Sequence, residues 1–185
     1  GIRFIFLDDN VMNMLPRDID SRRVWDEIIE EFKYSDFLFV AFGRLGENVL
    51  TAEKLALTWD LTEAFEKISQ VDEVLSLSTT NRMDNDEDFL VVDNLMSNRE
   101  LSVLEIESLS EYLQDNTNLS SRMLGKNGDY VNIIIRPNSI ENFPGLVSAI
   151  REITAPYEDS LDFHFGGQPY ITGKVPSLIQ TETKK

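Results

Sequence analysis

Hydrophobic positions recur along this chain with two different periods, and each change of period marks where a helix hands over to a strand. The clearest handover runs from Leu55 to Thr79. Leu57, Leu61, Ala64, Phe65 and Ile68 stand at offsets of zero, four, seven, eight and eleven, one apolar stripe at helical period. After Ser69-Gln70 the period shortens. Val71, Val74, Leu75 and Leu77 form a short apolar run with β-branched residues, which predicts a buried strand. Thr51 is the expected N-cap of the helix.

The other segments repeat this theme. Ile2 to Leu7 reads as a strand with a break before Val11–Leu15, stopped by Pro16. Asp18, Asp20 or Ser21 can cap a helix whose apolar face is Trp25, Ile28, Ile29 and Phe32. Asp36 to Arg44 (DFLFVAFGR) is too short and too apolar for anything but a buried strand. Residues 83–88 read as a polar, acidic connection, and Phe89 to Met96 as the next strand. Ser102-Val-Leu-Glu105 is a capping-box pattern, followed by the helical face Ile106, Leu109 and Leu113. Asn116 to Ser121 and Gly125 to Asp129 are turn-rich. Tyr130 to Arg136 (YVNIIIR) is a strong strand closed by Pro137. Pro144 suits the first turn of a helix with the face Leu146, Val147, Ile150 and Ile153, and Pro156 ends it. Leu161 to Phe165 alternates as a half-exposed strand. Gly166-Gly-Gln-Pro169 then turns the chain into an apolar stretch, Tyr170 to Leu178.

The order is β-α-β-α-β, a polar connection, then β-α-β-α-β. Two similar halves of this kind imply an α+β protein of two ferredoxin-like, β-α-β subdomains, with helices packed on mixed or antiparallel sheets. The expected division is 1–82, an acidic link at 83–88, and 89–185.

Composition narrows the function. A formal charge of −16 leaves no basic stripe for phosphates, so nucleic acid is not an expected partner, and a surface lying flat on anionic lipid is equally disfavoured. With no cysteine, disulfides, thiolate zinc sites and cysteine nucleophiles are excluded. No segment approaches the roughly 20 apolar residues of a membrane-spanning helix. The chain opens mid-strand without Met and closes in polar residues, which reads as a domain excised from a longer protein.

Candidate chemistry is sparse. Asp84, Asp86 and Asp88 alternate as in a calcium loop, but Phe89 stands where the loop needs Gly and Leu95 where it needs Glu. A solvated acidic linker is the better reading. His164 is the only histidine, and no nucleophile motif accompanies it, so a strand-surface histidine is favoured over a catalytic base. Gly125-Lys-Asn-Gly128 lacks the phosphate-loop pattern and precedes a strand, which favours a turn. Asn118-Leu-Ser120 matches a glycosylation acceptor, without a context that gives it meaning. Phe37, Phe39, Phe42, Trp59, Phe163, Phe165 and Tyr170 carry much of the aromatic content. Each is more readily core than ligand contact, yet together they are compatible with an aromatic-lined cleft between subdomains.

Several stretches, in order, are similar to one family. They are Asp9-Asn10-Val11 through Leu15-Pro16, Phe42-Gly43, Val71-Asp-Glu-Val74-Leu-Ser-Leu77, Leu113-Gln-Asp-Asn116, Gly125-Lys-Asn-Gly128-Asp129 leading into YVNIIIR, and Gly167-Gln-Pro169-Tyr170. In that order the chain resembles the first periplasmic loop of resistance-nodulation-division (RND) superfamily exporters, in the MMPL or hydrophobe/amphiphile efflux branch. The acidic stretch between Ser78 and Phe89 departs from the pattern. The resemblance implies two porter subdomains between two transmembrane helices of a proton-driven bacterial inner-membrane exporter. It implies a periplasmic location, a lipid-like or hydrophobic substrate, and the rest of the parent transporter as partner, in a family whose members include oligomers. The proton-relay residues of such exporters lie outside this chain, no catalytic residue carries over, and no cofactor or enzymatic activity is expected. Phe39, Phe42, Trp59, Phe163, Phe165 and Tyr170 are the substrate-path candidates. A rival reading is a soluble tandem ferredoxin-like module that senses a small ligand.

Overall fold

The run Phe37-Leu-Phe-Val-Ala-Phe-Gly43 forms strand β1, and all seven residues are buried. A strand covered on both faces needs this near-continuous apolar sequence rather than alternation. The structure, a computed structural model, describes residues 36–86, 89–125, 127–139 and 141–168. The elements expected before residue 36, and the stretch Tyr170 to Leu178, lie outside the described residues.

After β1 come helix α1 (Ala52–Glu66) and strand β2 (Val71–Leu75). The hairpin strands β3 (Asn81–Asp86) and β4 (Phe89–Asn94) follow, then helices α2 (Val103–Asp115) and α3 (Thr117–Met123). Strand β5 (Tyr130–Pro137), helix α4 (Phe143–Thr154), a 3-10 turn at Ala155–Tyr157 and strand β6 (Asp162–Gln168) complete the order. The sheet order is β2-β5-β1-β6, with every neighbouring pair antiparallel. Each of the crossovers β1-α1-β2 and β5-α4-β6 joins two parallel strands across an antiparallel one, and α1 and α4 touch each other.

The two halves expected from the sequence therefore share one sheet. Strands β1 and β2 precede residues 83–88, β5 and β6 follow them, and β1 lies between β5 and β6. Residues 83–86 belong to β3 instead of a connection, paired in unbroken register with β4 from Asn81↔Asn94 to Asp86↔Phe89. Residues 87 and 88 lie outside the described residues. The segment between β2 and β5 is an insertion into the four-stranded sheet unit. It is held to that unit by apolar contact, since Leu95, Met96, Leu101, Leu109, Leu113 and Met123 join the same buried cluster as β1. The solvent-facing Arg99 also grips the Asp60 carboxylate of α1 with both ends of its fork, at 2.8 and 2.9 Å.

Local signals explain most of the elements. The Thr51 hydroxyl accepts from the Lys54 N–H at 3.3 Å and starts α1. Ser102 and Glu105 form the reciprocal capping box of α2, at 3.2 and 2.7 Å. Pro144 stands in the first turn of α4, which buries Leu146, Val147 and Ile150. The buried face of α1 is wider than its apolar stripe, because Thr58 and Thr62 are buried as well. Their hydroxyls donate to the carbonyls one turn earlier, Lys54 O at 2.9 Å and Thr58 O at 2.7 Å, so neither enters the core unsatisfied.

Candidate functional site

Strand alternation sends Leu38, Val40 and Phe42 to one face of the sheet and Phe37, Phe39 and Ala41 to the other. Pairing places Phe42 beside Val131 and Phe163, Val40 beside Ile133 and Phe165, and Phe39 beside Ile134 and Gly166. The Phe42 and Phe163 rings stack with centroids 5.6 Å apart, and Phe163 and Phe165 follow at 6.2 Å. Three of the aromatic candidates thus form one layer, and Phe39 lies on the opposite face. All four are core residues, between 0% and 5% exposed. Trp59, on α1, is half-buried against the core, and Tyr170 lies outside the described residues. The aromatic residues that the sequence groups as a cleft lining are, where described, mostly the packing of the sheet.

The open hollows lie elsewhere. One, of 430 Å³, runs along the outer edge of β2 and is lined by Glu66, Asp72, Glu73 and Thr79. Arg136 reaches over from β5 to pair with Asp72 at 3.2 Å and with Glu73. Another, of 320 Å³, lies at the α2–α3 junction, between Leu113, Gln114, Thr117, Ser120 and Gly125.

A polar cluster occupies the Phe39 side of the sheet. Ala41 is flanked in register by Asn132 and His164, and Gly43 by Tyr130 and Asp162. The small residues of β1 let the larger groups meet across it. The Tyr130 and His164 rings lie 5.5 Å apart, the Tyr130 hydroxyl donates to Asp162 Oδ2 at 3.4 Å, and the Asn132 amide donates to Arg122 O of α3 at 2.9 Å. His164 is half-buried instead of lying on the strand surface, and its Nε2 is buried without a hydrogen-bond partner. Burial holds its pKa below the ordinary imidazole value, partly offset by the Asp162 carboxylate.

The second polar feature joins two loops at one end of the sheet. Asp129 is 2% exposed; its Oδ2 accepts from the Gly46 N–H at 3.3 Å, its carbonyl from the Arg44 N–H at 3.2 Å, and its Oδ1 has no partner. Gly43 lies directly against it, where an added Cβ would come 1.9 Å from the Asp129 carbonyl oxygen. The Gly128 N–H donates back to Gly125 O at 3.0 Å. No sequence signal singled out Asp129, because its role depends on Gly43 and Gly46, some 83 residues away in the chain.

Asp84 and Asp86 fall on strand β3, and Asp88 lies outside the described residues. Among the described residues no group of three or more His, Cys, Asp or Glu side chains is placed to hold a metal ion, and no helix is long and apolar enough to cross a membrane. Compared with known protein families, curated proteins and solved structures, the chain matches none.

Proposed function

We propose that this chain is a periplasmic porter domain of an RND-type, proton-driven exporter of lipids or other hydrophobic molecules, acting by binding and gating. The observation that carries the proposal is the four-stranded antiparallel sheet of order β2-β5-β1-β6, with its two β-α-β crossovers. That is the connectivity of a ferredoxin-like unit, the kind of subdomain that the ordered series of motifs implies for a porter loop. Fold alone does not carry function; the motif order supplies the link to export. The second porter subdomain implied by the resemblance is part of the proposal, as are the periplasmic setting and the parent transporter as partner.

Among the described residues, Trp59 is the substrate-path candidate that combines an aromatic ring with partial exposure. In the Trp25→Phe background it is the one remaining tryptophan, so its fluorescence reports local contact with an apolar probe. Quenching by a brominated fatty acid, lost in a competition with unbrominated lipid, supports a substrate path on α1. The parent reading frame decides the larger claim. Membrane spans of about 20 apolar residues on both sides of the chain support an exporter loop, and a parent without them overturns the reading.

A further inference from the structure

Two groups that meet across β1 stand within reach of one carboxylate. Tyr130 opens β5 and is 3% exposed. Its hydroxyl spans β1 at Gly43 and donates to Asp162 Oδ2 on β6, at 3.4 Å. His164 stands two residues further along β6, on the same face as Asp162, with its ring 5.5 Å from that of Tyr130. Its Nε2 is buried without a hydrogen-bond partner. With the ring where it stands, a proton on that nitrogen meets no acceptor, and a buried charged donor left unpaired is costly.

The surroundings direct an imidazolium to one place. From β1 the ring meets Ala41, with Gly43 beyond it, and neither titrates. β5 presents Tyr130 and the neutral Asn132, whose amide donates to Arg122 O of α3. The Arg122 guanidinium donates to Asn118 O at 3.3 Å. The Asp129 carboxylate, next to Tyr130 in sequence, accepts from the Gly46 N–H. Among the described residues Asp162 is the one charged group that acts on the ring, favouring its protonated form against burial.

We propose that Tyr130, Asp162 and His164 form a proton-operated tie between β5 and β6. With His164 neutral, Asp162 accepts from Tyr130, and the bond spans β1. When His164 takes up a proton, its ring turns to donate to Asp162 and the phenol is released. The imidazolium meets the carboxylate with opposite charge as well as a hydrogen bond. The phenol bond it replaces, at 3.4 Å, is longer than the about 2.5–3.0 Å usual for a hydroxyl donor. The new bond lies within β6, the end strand of the four-stranded sheet. Acidification therefore unties β6 from β5 at this end. The proposal does not depend on the exporter reading.

His164 is the only histidine, so its imidazole NMR signals titrate in the whole chain without overlap from another. The expected pKa lies below about 6.5. Tyr130→Phe removes the competitor for Asp162 and raises that pKa by about 0.5–1. Asp162→Asn removes the acceptor and lowers it by about 0.5. Amide hydrogen exchange, corrected for intrinsic rates, gives the structural readout. In the wild type the β6 amides near Asp162 exchange faster as His164 protonates, while those of β2 do not change. In Tyr130→Phe they are already fast at neutral pH, and in His164→Gln they stay slow on acidification. A His164 pKa that either Tyr130→Phe or Asp162→Asn leaves unmoved overturns the exchange, since a ring merely buried on the sheet needs neither partner. So does β6 exchange that is indifferent to the His164 proton.

Discussion

Gly43 is the position where backbone packing leaves least room, and Gly43→Ala is the sharpest test of the fold. An alanine Cβ there would sit 1.9 Å from the Asp129 carbonyl oxygen and 2.9 Å from its carbon. Both are main-chain atoms, so no side chain can swing aside. Relief requires the Asp129 peptide to move, and that peptide accepts from Arg44 while its side chain accepts from Gly46. The φ of Gly43 is +157°, which adds backbone strain for any L side chain. Overpacking of this kind costs about 1–3 kcal/mol and a strained φ,ψ about 1–3 kcal/mol more, together roughly 2–6 kcal/mol. For a chain of this size the melting temperature falls by on the order of 10 °C. Gly46→Ala is the internal control: its φ is +81° but nothing lies within 4 Å of the added Cβ, so it bears only the left-handed penalty of about 1–2 kcal/mol. Urea unfolding followed by far-UV CD, at constant m-value, measures both. If Gly43→Ala costs no more than Gly46→Ala, the close approach of β1 to Asp129 is wrong.

Two further outcomes follow from buried polar groups. The pKa of His164 lies below the ordinary value because burial penalises the imidazolium more than Asp162 favours it. Between that lowered value and about 6.5 the unfolded chain binds more protons than the folded one, so stability rises with pH across this window and is lost on acidification. His164→Gln flattens this part of the stability–pH curve, and identical slopes for the two proteins would refute the assignment. Thr62 donates to Thr58 O and receives the Ser76 hydroxyl at 2.8 Å. Thr62→Val removes one of the two hydroxyls that Ser76 can donate to, leaving Ser78 Oγ at 2.9 Å, and destabilises by about 0.5–1.5 kcal/mol, whereas Thr62→Ser retains most of the stability; equal urea midpoints for the two variants would count against the hydroxyl chain.

The elements carried by hydrophobic period and local capping were legible in the sequence. β1, α1, β2, α2, β5 and α4 stand where their apolar faces and caps place them, because each signal is local. Three readings failed where tertiary contact overrides local preference. Residues 83–88 read as a polar, acidic connection, yet 83–86 belong to the strand Asn81–Asp86, held by β4 on one side and by Tyr112 on the other, with Arg82 stacked 4.8 Å over that ring. Asn116 to Ser121 reads as turn-rich, yet Thr117–Met123 is a helix, because Ser121 and Met123 are buried and Asn132 anchors Arg122 O. Gly166 to Gln168 reads as a turn, yet it continues β6 opposite Phe37 to Phe39. The larger miss was pairing. Two β-α-β units look alike whether they build two sheets or interleave in one, since strand order depends on contacts between residues far apart in sequence, such as Phe39 with Ile134.

The burial of the aromatic layer constrains how the proposed substrate path can work. Phe39, Phe42, Phe163 and Phe165 are all but inaccessible, and exposing an apolar side chain of that size costs about 1.5–3 kcal/mol. Opening all four costs roughly 6–12 kcal/mol, as much as the whole binding free energy of a micromolar ligand, about 8 kcal/mol. A ligand shifts a conformational equilibrium only by its differential affinity for the two states, so a substrate that had to separate β1 from β6 would retain almost no net affinity. Under the proposed exporter reading, gating therefore moves the sheet unit as a body and leaves the stacked rings closed. Substrate contact then falls to groups already partly exposed, with Trp59 first among the candidates. Phe163→Ala accordingly acts on stability, by about 3–5 kcal/mol, and under conditions where the variant stays folded it leaves the apolar-probe affinity at Trp59 unchanged. A variant that folds well but loses that binding would put the aromatic layer back in the path.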